Sequence, residues 1–367
     1  MASSERIVLL AAGARPNFMK IAPLHRALQE RHPGVLRPVL VHTGQHYDQG
    51  LSDVFFRDLS IPAPDHHLDV GSGSHAEQTA AVMVRFERVV EEVCPDVVVV
   101  VGDVNSTLAC ALVAKKQHVL LAHVEAGLRS FDETMPEEIN RRVTDALADH
   151  LFVSERSGVD NLKAEGRPEQ AIHFVGNVMI DTLLRQLAVL DGARIGPDGD
   201  YAVLTLHRPS NVDRREVLTG IVEALEGIAG RMPVLFPVHP RTKARLAEFG
   251  LEDRLVGAGV RVVPPLGYND FLSLWRHARV VLTDSGGLQE ETTALGVPCL
   301  TLRENTERPV TVELGTNRLV GSAPRDILEG LEAALSASPR AGGVPRGWDG
   351  RAGERIADVL AGVLAGG

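Results

Sequence analysis

The chain has 367 residues, a length that suits two domains of ordinary size, each able to bury a core. With 44% hydrophobic and 23% charged residues, it has the composition of a soluble globular protein rather than a disordered or fibrous one. Its net charge of −10 argues against a general nucleic-acid or anionic-membrane surface, so an anionic ligand must be held by a local cluster of Arg, Lys and helix ends.

The opening MASSERIVLLAAG has too short an apolar run for a signal peptide, and no stretch has the length and apolarity to span a membrane. A cytoplasmic enzyme is therefore expected. Ile7 to Ala12 is predicted as the first strand, followed by Gly13-Ala-Arg-Pro-Asn-Phe-Met-Lys20 as a turn and helix start, with Pro16 suited to a first helical position. Arg15 and Lys20 would then flank a helix N-terminus at the carboxyl edge of a sheet, where open α/β folds bind ligands. Taken singly, each is the kind of residue usually solvated at a surface. Val39 to His42 reads as a second strand and Gln78 to Cys94 as an amphipathic helix. Val97 to Val101, β-branched throughout, reads as a strand buried on both faces. It runs into Gly102-Asp103-Val-Asn-Ser-Thr107. Val119 to Ala122 runs into His123-Val-Glu125-Ala-Gly-Leu-Arg129, and Pro136-Glu137-Glu138 opens a helix carrying Asn140, Arg141 and Arg142.

Asp103, Glu125 and Glu137 would thus come from neighbouring edges of one sheet. Carboxylates converging there repel one another, and burial disfavours their charge, which suits general acid–base chemistry. The competing reading makes Asp103 a helix cap and Glu137 a first-turn carboxylate facing the helix dipole.

Strands Leu151 to Ser154 and Ile172 to Val175 and the helix Val178 to Leu190 complete the first domain, before a turn-rich linker from Asp191 to Gly199. A second strand–helix series follows: Ala202 to Leu206, Val234 to Val238, Arg261 to Val263, Val280 to Thr283 and Cys299 to Leu302. Alternation of this kind indicates parallel sheets with right-handed crossovers, an α/β fold. His207 and His239 each follow a strand. After Val280 to Thr283, Ser285 stands at a helix N-cap, Gly286 and Gly287 open the turn, and Glu290 and Glu291 lie in the first helical turns. Such a turn presents free N–H groups and a positive dipole end to a phosphate, while the carboxylates suit ribose hydroxyls. Read blandly, it is an ordinary capped helix; Arg303 and Arg308, two guanidinium groups just beyond, favour the anion site. A last helix with Ile356, Val359, Leu360, Val363 and Leu364 on one face follows a loop from Ser336 to Gly350. Cys94, Cys110 and Cys299 have no metal-ligand spacing, and no G-x-G-x-x-G follows the first strand, so neither a metal nor a nicotinamide cofactor is indicated.

In order along the chain, GARPNFMKIAPL, TGQHYD, GDVNST, HVEAGLRS, MPEEINR, VGNVMIDTL, TLHRPSN, PVHP, PLGYNDF, TDSGGLQEE and RENTERP form a specific set. That set resembles the non-hydrolysing UDP-N-acetylglucosamine 2-epimerases. The resemblance implies a GT-B architecture: two Rossmann-like domains, residues 1–190 and 200–335, with a cleft between them and a C-terminal helix, 351–367, returning to the first. It also implies a homodimer that needs no added cofactor or metal. The reaction would be elimination of UDP to 2-acetamidoglucal and its re-addition after protonation of C2 from the other face. By the same resemblance Asp103, Glu125 and Glu137 are the acid–base carboxylates, and His207 lies near the diphosphate. Substrate-binding residues would be Arg15, Lys20, Arg129, His239, Phe271 (beside the uracil), Ser285, Gly286, Gly287, Glu291 and Arg308.

The rival readings are an epimerase of a UDP-2,3-diacetamido-glucuronate type, a hydrolysing epimerase, a retaining glycosyltransferase of the same fold, or a nucleotide-sugar-binding protein without chemistry. The three carboxylates argue against the last. Some family members also bind a second substrate molecule as an activator. Here Tyr47, Asp48 and Glu77 stand where the activating site commonly has Arg, Gln and Arg, so loss of activation is expected, with Gln45 and His46 retained.

Overall fold

The computed structural model describes residues 5–44, 59, 61–190, 192, 194–336 and 343–366, Arg15 through its backbone alone. It divides into two compact units, Met1–Gln186 with Arg346–Gly367, and Leu187–Pro345.

In the first unit the described strands are β1 (Arg6–Ala12), β2 (Leu36–His42), β3 (His66–His67), β4 (Val97–Val101), β5 (Leu120–Val124), β6 (His150–Val153) and β7 (Ile172–Phe174). They form one parallel sheet in the order β3-β2-β1-β4-β5-β6-β7. All five valines of β4 are buried, as a central strand covered on both faces requires. The chain starts at β1, winds outward through β2 and β3, then crosses back to β4 on the other side of β1. Strand order therefore reverses between β1 and β4, and crossovers on either side of that point leave a crevice at the carboxyl ends.

The second unit repeats the plan with β8 (Ala202–Thr205), β9 (Val234–Pro237), β10 (Arg261–Val263), β11 (Val280–Thr283), β12 (Cys299–Thr301) and β13 (Asn317–Leu319), all parallel. Their order, β10-β9-β8-β11-β12-β13, reverses between β8 and β11. Leu204, Phe236, Leu282 and Leu300 point into a core closed by Ile221 and Leu331. None of the six is more than 1% exposed, so each contributes about 1.5–3 kcal/mol of side-chain burial.

The strand boundaries differ from the expected ones in instructive ways. β2 begins at Leu36, three residues early, because Leu36 pairs with Arg6 although exposed Arg37 interrupts the apolar run. β5 runs on through His123, a polar residue that is fully buried because Asp145 Oδ1 (2.7 Å) and the Gly102 carbonyl (2.8 Å) hold its two ring nitrogens. β3 and β13 are edge strands of two and three residues, too short and too polar to leave a hydrophobic signature.

The final helix, Ala352–Ala365, packs on helix Arg15–Arg31. Asp181 caps it by accepting from the N–H groups of Ala352 (3.1 Å) and Gly353 (2.7 Å). Burial raises the Asp181 carboxyl to about 6 although those bonds act against the rise. The loop leading in is anchored by Trp348, whose indole N–H donates to the Ser154 carbonyl at 3.1 Å. Gly176, at φ +88°, lies so close to that loop that an added Cβ would fall 1.9 Å from the Gly347 carbonyl oxygen. Gly176→Ala should therefore destabilise clearly more than Gly34→Ala, whose Cβ at φ +74° would meet nothing within 4 Å. The Gly34 variant should lose only the left-handed backbone penalty, about 1–2 kcal/mol. Equal losses on urea unfolding would contradict the packing described.

Candidate active site

The carboxyl edge of the first sheet gathers its charges in two linked groups. Asp103 directly follows the β4 turn at Gly102. It is not the helix cap, since helix Asn105–Lys116 begins from Val104 without a side-chain cap bond. Its Oδ2 instead accepts from Arg141 Nη2 at 2.6 Å, and Arg141 Nη1 donates to Glu138 Oε2 at 2.5 Å. Glu138 and Arg141 lie three residues apart on helix Pro136–Leu147, so they share a face and both are buried. Glu138 also accepts from the N–H (2.9 Å) and hydroxyl (3.0 Å) of Ser130.

Glu125, immediately after β5, adopts φ +70°, a backbone region that costs a branched-Cβ-free residue about 1–2 kcal/mol. The residue is 4% exposed and its Oε2 meets Lys20 Nζ at 2.5 Å. A Cβ on Gly102 would lie 3.1 Å from Lys20 Nζ and 3.9 Å from Glu125 Oε2, which places the Glu125–Lys20 pair against the turn carrying Asp103. Asn17 fastens the helix bearing Lys20 to β4 through a 2.6 Å bond to the Val101 carbonyl. The expectation of mutually repelling carboxylates is corrected here, because Asp103 and Glu125 each face a buried cation.

Glu137 is the second residue of the helix, half-buried, and its side chain makes no hydrogen bond or ion pair among the described residues. Arg15 is the first residue of helix Arg15–Arg31. Arg129 is corrected from a substrate ligand to a framework residue. Its side chain is 1% exposed, and Nε and Nη2 bind Glu165 (2.8 and 2.7 Å), Nη2 also meets Asp145 (2.7 Å), and Nη1 binds the Leu128 carbonyl (2.7 Å). Four of its five N–H donors are thus engaged within the framework.

Of the residues expected at an activating site, Tyr47 and Asp48, with Gln45 and His46, lie outside the described residues. Glu77 does not simply replace a cation. It forms a capping box with Ser74, its Oε2 accepting from Ser74 N–H (2.9 Å) while the Ser74 hydroxyl accepts from Glu77 N–H (3.3 Å).

In the second unit the switch point between β8 and β11 carries the Ser285-Gly286-Gly287 turn, expected from the sequence to receive an anion. Helix Gly286–Leu295 starts after Ser285, whose side chain makes no cap bond, so the first-turn N–H groups have no side-chain acceptor from the cap. Gly286 has no room for a side chain, since a Cβ there would lie 2.9 Å from both Arg308 Nη1 and Glu307 Oε1. Arg308 reaches this helix start but is committed to Glu290 (2.7 Å) and Glu307 (2.7 Å), while Arg303 pairs with Glu307 at 2.9 Å.

His207 follows β8 by two residues, and its Nδ1 lies 2.9 Å from Asp284 Oδ1. Asp284, fully buried, was missed at the sequence level because it reads as the residue before a cap rather than as a partner. His239 is exposed and N-caps its helix, Nδ1 accepting from Arg241 N–H at 3.2 Å, with its ring 6.0 Å from that of His207.

Glu291 is buried and accepts from the Tyr268 hydroxyl at 2.7 Å. Phe271 lies three residues after Tyr268 on helix Tyr268–Trp275, on the same side. Burial raises the Glu291 carboxyl to about 7; the Tyr268 bond acts against the rise and the neighbouring Glu290 charge adds to it. A carboxyl raised in the folded state contributes stability that is complete below its unfolded value and lost as pH rises through about 7. Glu291→Gln should therefore abolish a loss worth at most about 3 kcal/mol between pH about 5 and about 8. Thermal melts across that range test it; identical pH slopes for both proteins would count against the assignment.

Comparison with known proteins agrees with this geometry. The family profile described as UDP-N-acetylglucosamine 2-epimerase matches residues 26–361. The UDP-N-acetylglucosamine 2-epimerase of Methanocaldococcus jannaschii is 43% identical over 364 residues, covering 95% of this chain and 97% of that protein. The UDP-2,3-diacetamido-2,3-dideoxy-D-glucuronate 2-epimerase of Pseudomonas aeruginosa is 42% identical over 359 residues, covering 96% and 99%. Among solved structures, the M. jannaschii UDP-GlcNAc 2-epimerase in complex with UDP-GlcNAc and UDP superposes with a TM-score of 0.88 at 42% identity, covering 97% of this chain and 99% of that one. The Neisseria meningitidis UDP-GlcNAc 2-epimerase bound to UDP-GlcNAc gives 0.86 at 28% identity, covering 96% and 99%. The two parallel α/β sheets are those of the GT-B-like epimerase structures, and the chain belongs to the UDP-N-acetylglucosamine 2-epimerase family.

Proposed function

We infer that the protein is a non-hydrolysing 2-epimerase that interconverts UDP-GlcNAc and UDP-ManNAc. The observation that carries this reading is the 43% identity, over nearly the full length of both chains, to an enzyme of that name, with the motif residues clustered at two strand switch points. C2–H is weakly acidic, so departure of the diphosphate has to drive the elimination. A base removes the C2 proton, the C1–O bond breaks with its electron pair going to UDP, and 2-acetamidoglucal forms. Protonation of C2 on the opposite face and re-addition of UDP at C1 complete the epimerisation.

Asp103, Glu125 and Glu137 serve as the proton-transferring carboxylates. Asp103 and Glu125 are each held by a buried cation, and Glu137 is open to a ligand. In the second unit Ser285, Gly286, Gly287 and His207 receive the diphosphate, with His239 beside them. Glu291, set by Tyr268, receives the ribose, and Phe271 the uracil. Lys20 and Arg308 act through the carboxylates they neutralise, while Arg15 stands at the sheet edge as a further cation. Stabilisation of the leaving diphosphate is the largest expected catalytic contribution.

Incubation with UDP-GlcNAc in heavy water should place deuterium at C2 with UDP still attached. Release of free N-acetylmannosamine would instead indicate hydrolysis. The 42% identity to the diacetamido-glucuronate epimerase supports a second reading, and assay of both nucleotide sugars side by side distinguishes the two. Asp103→Asn, Glu125→Gln and Glu137→Gln should each lower turnover about 10²-fold or more while UDP binding is largely kept. Near-normal turnover in these variants would remove the acid–base assignment.

We also propose a homodimer. A groove lined by Ala76, Ala80, Met83, Pro136 and Ile139, with Ile139 53% exposed, offers an apolar face of the kind a second copy would cover. Kinetics in UDP-GlcNAc are expected to be hyperbolic, since an acidic capping residue at Glu77 would repel a second diphosphate. Sigmoidal rates would contradict that.

A further inference from the structure

We propose that Asp284 is a positioning residue for His207, fixing the ring with its proton on Nδ1 so that Nε2 is the nitrogen that gains or releases a proton beside the leaving diphosphate. The proposal rests on the reading of His207 as a diphosphate-facing residue. Asp284 comes directly after β11 and is 0% exposed. Its carboxylate accepts from His207 N–H (3.0 Å), Arg208 N–H (2.9 Å) and Asn211 Nδ2 (3.2 Å), and meets His207 Nδ1 at 2.9 Å.

An ionised carboxylate only accepts hydrogen bonds, so a bond to it requires Nδ1 to carry hydrogen. Burial alone would raise the Asp284 carboxyl, yet the His207 side chain and the two backbone N–H groups hold it below the ordinary range, so the group facing the ring is the anion. The ring itself keeps its side chain 41% exposed.

The neighbouring imidazole is set the opposite way. His239 Nδ1 accepts the Arg241 N–H, which leaves its proton on Nε2. The other carboxylates on these segments already serve several cations, Glu307 meeting Arg208 (3.8 Å), Arg303 and Arg308, and Asp213 meeting Arg241 and Arg245. Asp284 is therefore the anion available to balance a proton gained at His207 Nε2. The imidazolium formed there donates a charge-assisted hydrogen bond, roughly twice as strong as a neutral one. Because Asp284 binds the β8 loop through its backbone N–H groups as well, the same carboxylate joins the two strand ends and sets the ring.

Asp284→Asn separates these roles. The amide oxygen can still accept the backbone N–H groups, while its NH₂ faces Nδ1 and makes that nitrogen an acceptor, so the ring stays neutral with its proton on Nε2. Turnover should fall about 10²-fold, as when one donor to a developing oxyanion is removed, with KM changed only a few-fold. The activity profile should move toward acid pH.

Nitrogen-15 NMR of the ring, assigned with His207→Asn, reads the tautomer directly and needs no turnover. Nδ1–H in the wild type from about pH 6 to about pH 8, replaced by an unprotonated Nδ1 in Asp284→Asn, is the expected result. An unprotonated Nδ1 in the wild type would overturn the proposal whether or not the variant folds. So would a folded Asp284→Asn enzyme with unchanged turnover and pH profile, the outcome of a purely structural role. A wild-type protein inactive on either nucleotide sugar would overturn the epimerase reading and leave the NMR result to decide Asp284.

Discussion

A carboxylate taken out of water must be met by a cation or by several N–H donors, and this requirement organises both units. Asp103 faces Arg141, Glu125 faces Lys20, Asp145 faces His123 and Arg129, Asp284 faces His207, and Glu290 faces Arg308. Each pairing joins segments distant in sequence: Lys20 and Glu125 are 105 residues apart, and His207 and Asp284 are 77. Such pairs add little net stability over well-packed apolar groups, but removing one partner strands a buried charge. Their effect is to fix strand ends and the side chains on them in a single arrangement.

The sheets explain why these pairs fall where they do. In each unit the order of strands reverses next to the first strand, between β1 and β4 and between β8 and β11. There the crossover connections part to opposite faces, so backbone N–H groups and strand-end side chains meet a ligand rather than a neighbouring helix. Asp103 and Arg15 flank one such point, while His207, Asp284 and Ser285 flank the other. The glycines at these ends follow from the same crowding. Gly102 leaves room for the Lys20 ammonium, and Gly286 for the Arg308–Glu307 pair. A methyl group at Gly286 would press on that pair, and one at Gly102 would require the Lys20 ammonium to shift by a few tenths of an ångström.

The structure separates residues that motif reasoning had treated alike. Glu137 and Glu138 are adjacent, yet the helix turns Glu138 inward onto Arg141 and Ser130 and leaves Glu137 without a described partner. Arg129, in the same motif as Glu125, holds the framework under the sheet edge rather than facing it. Glu77, expected to act only by its charge, also closes a helix cap. In each case the residue type and spacing were legible, while the direction of the side chain was decided by partners on other segments or one helical turn away.

What the amino-acid order by itself determined was the alternation of strands and helices and the places where strands end. Buried parallel strands have to be continuous apolar runs, and the turns after them need Gly, Ser or Asp, so Val97–Val101 and Val280–Thr283 with their following turns could be read directly. The ordered motifs likewise carried the family. Tertiary structure alone decided the partners of the charges. Whether Asp103 caps a helix or meets Arg141 depends on which helix crosses the strand end, and the polar edge strands β3 and β13 exist only because a neighbouring strand offers them hydrogen bonds. Apolar burial is written locally, residue by residue. The pairing of a buried charge is a long-range fact, settled only when the sheet has closed its order.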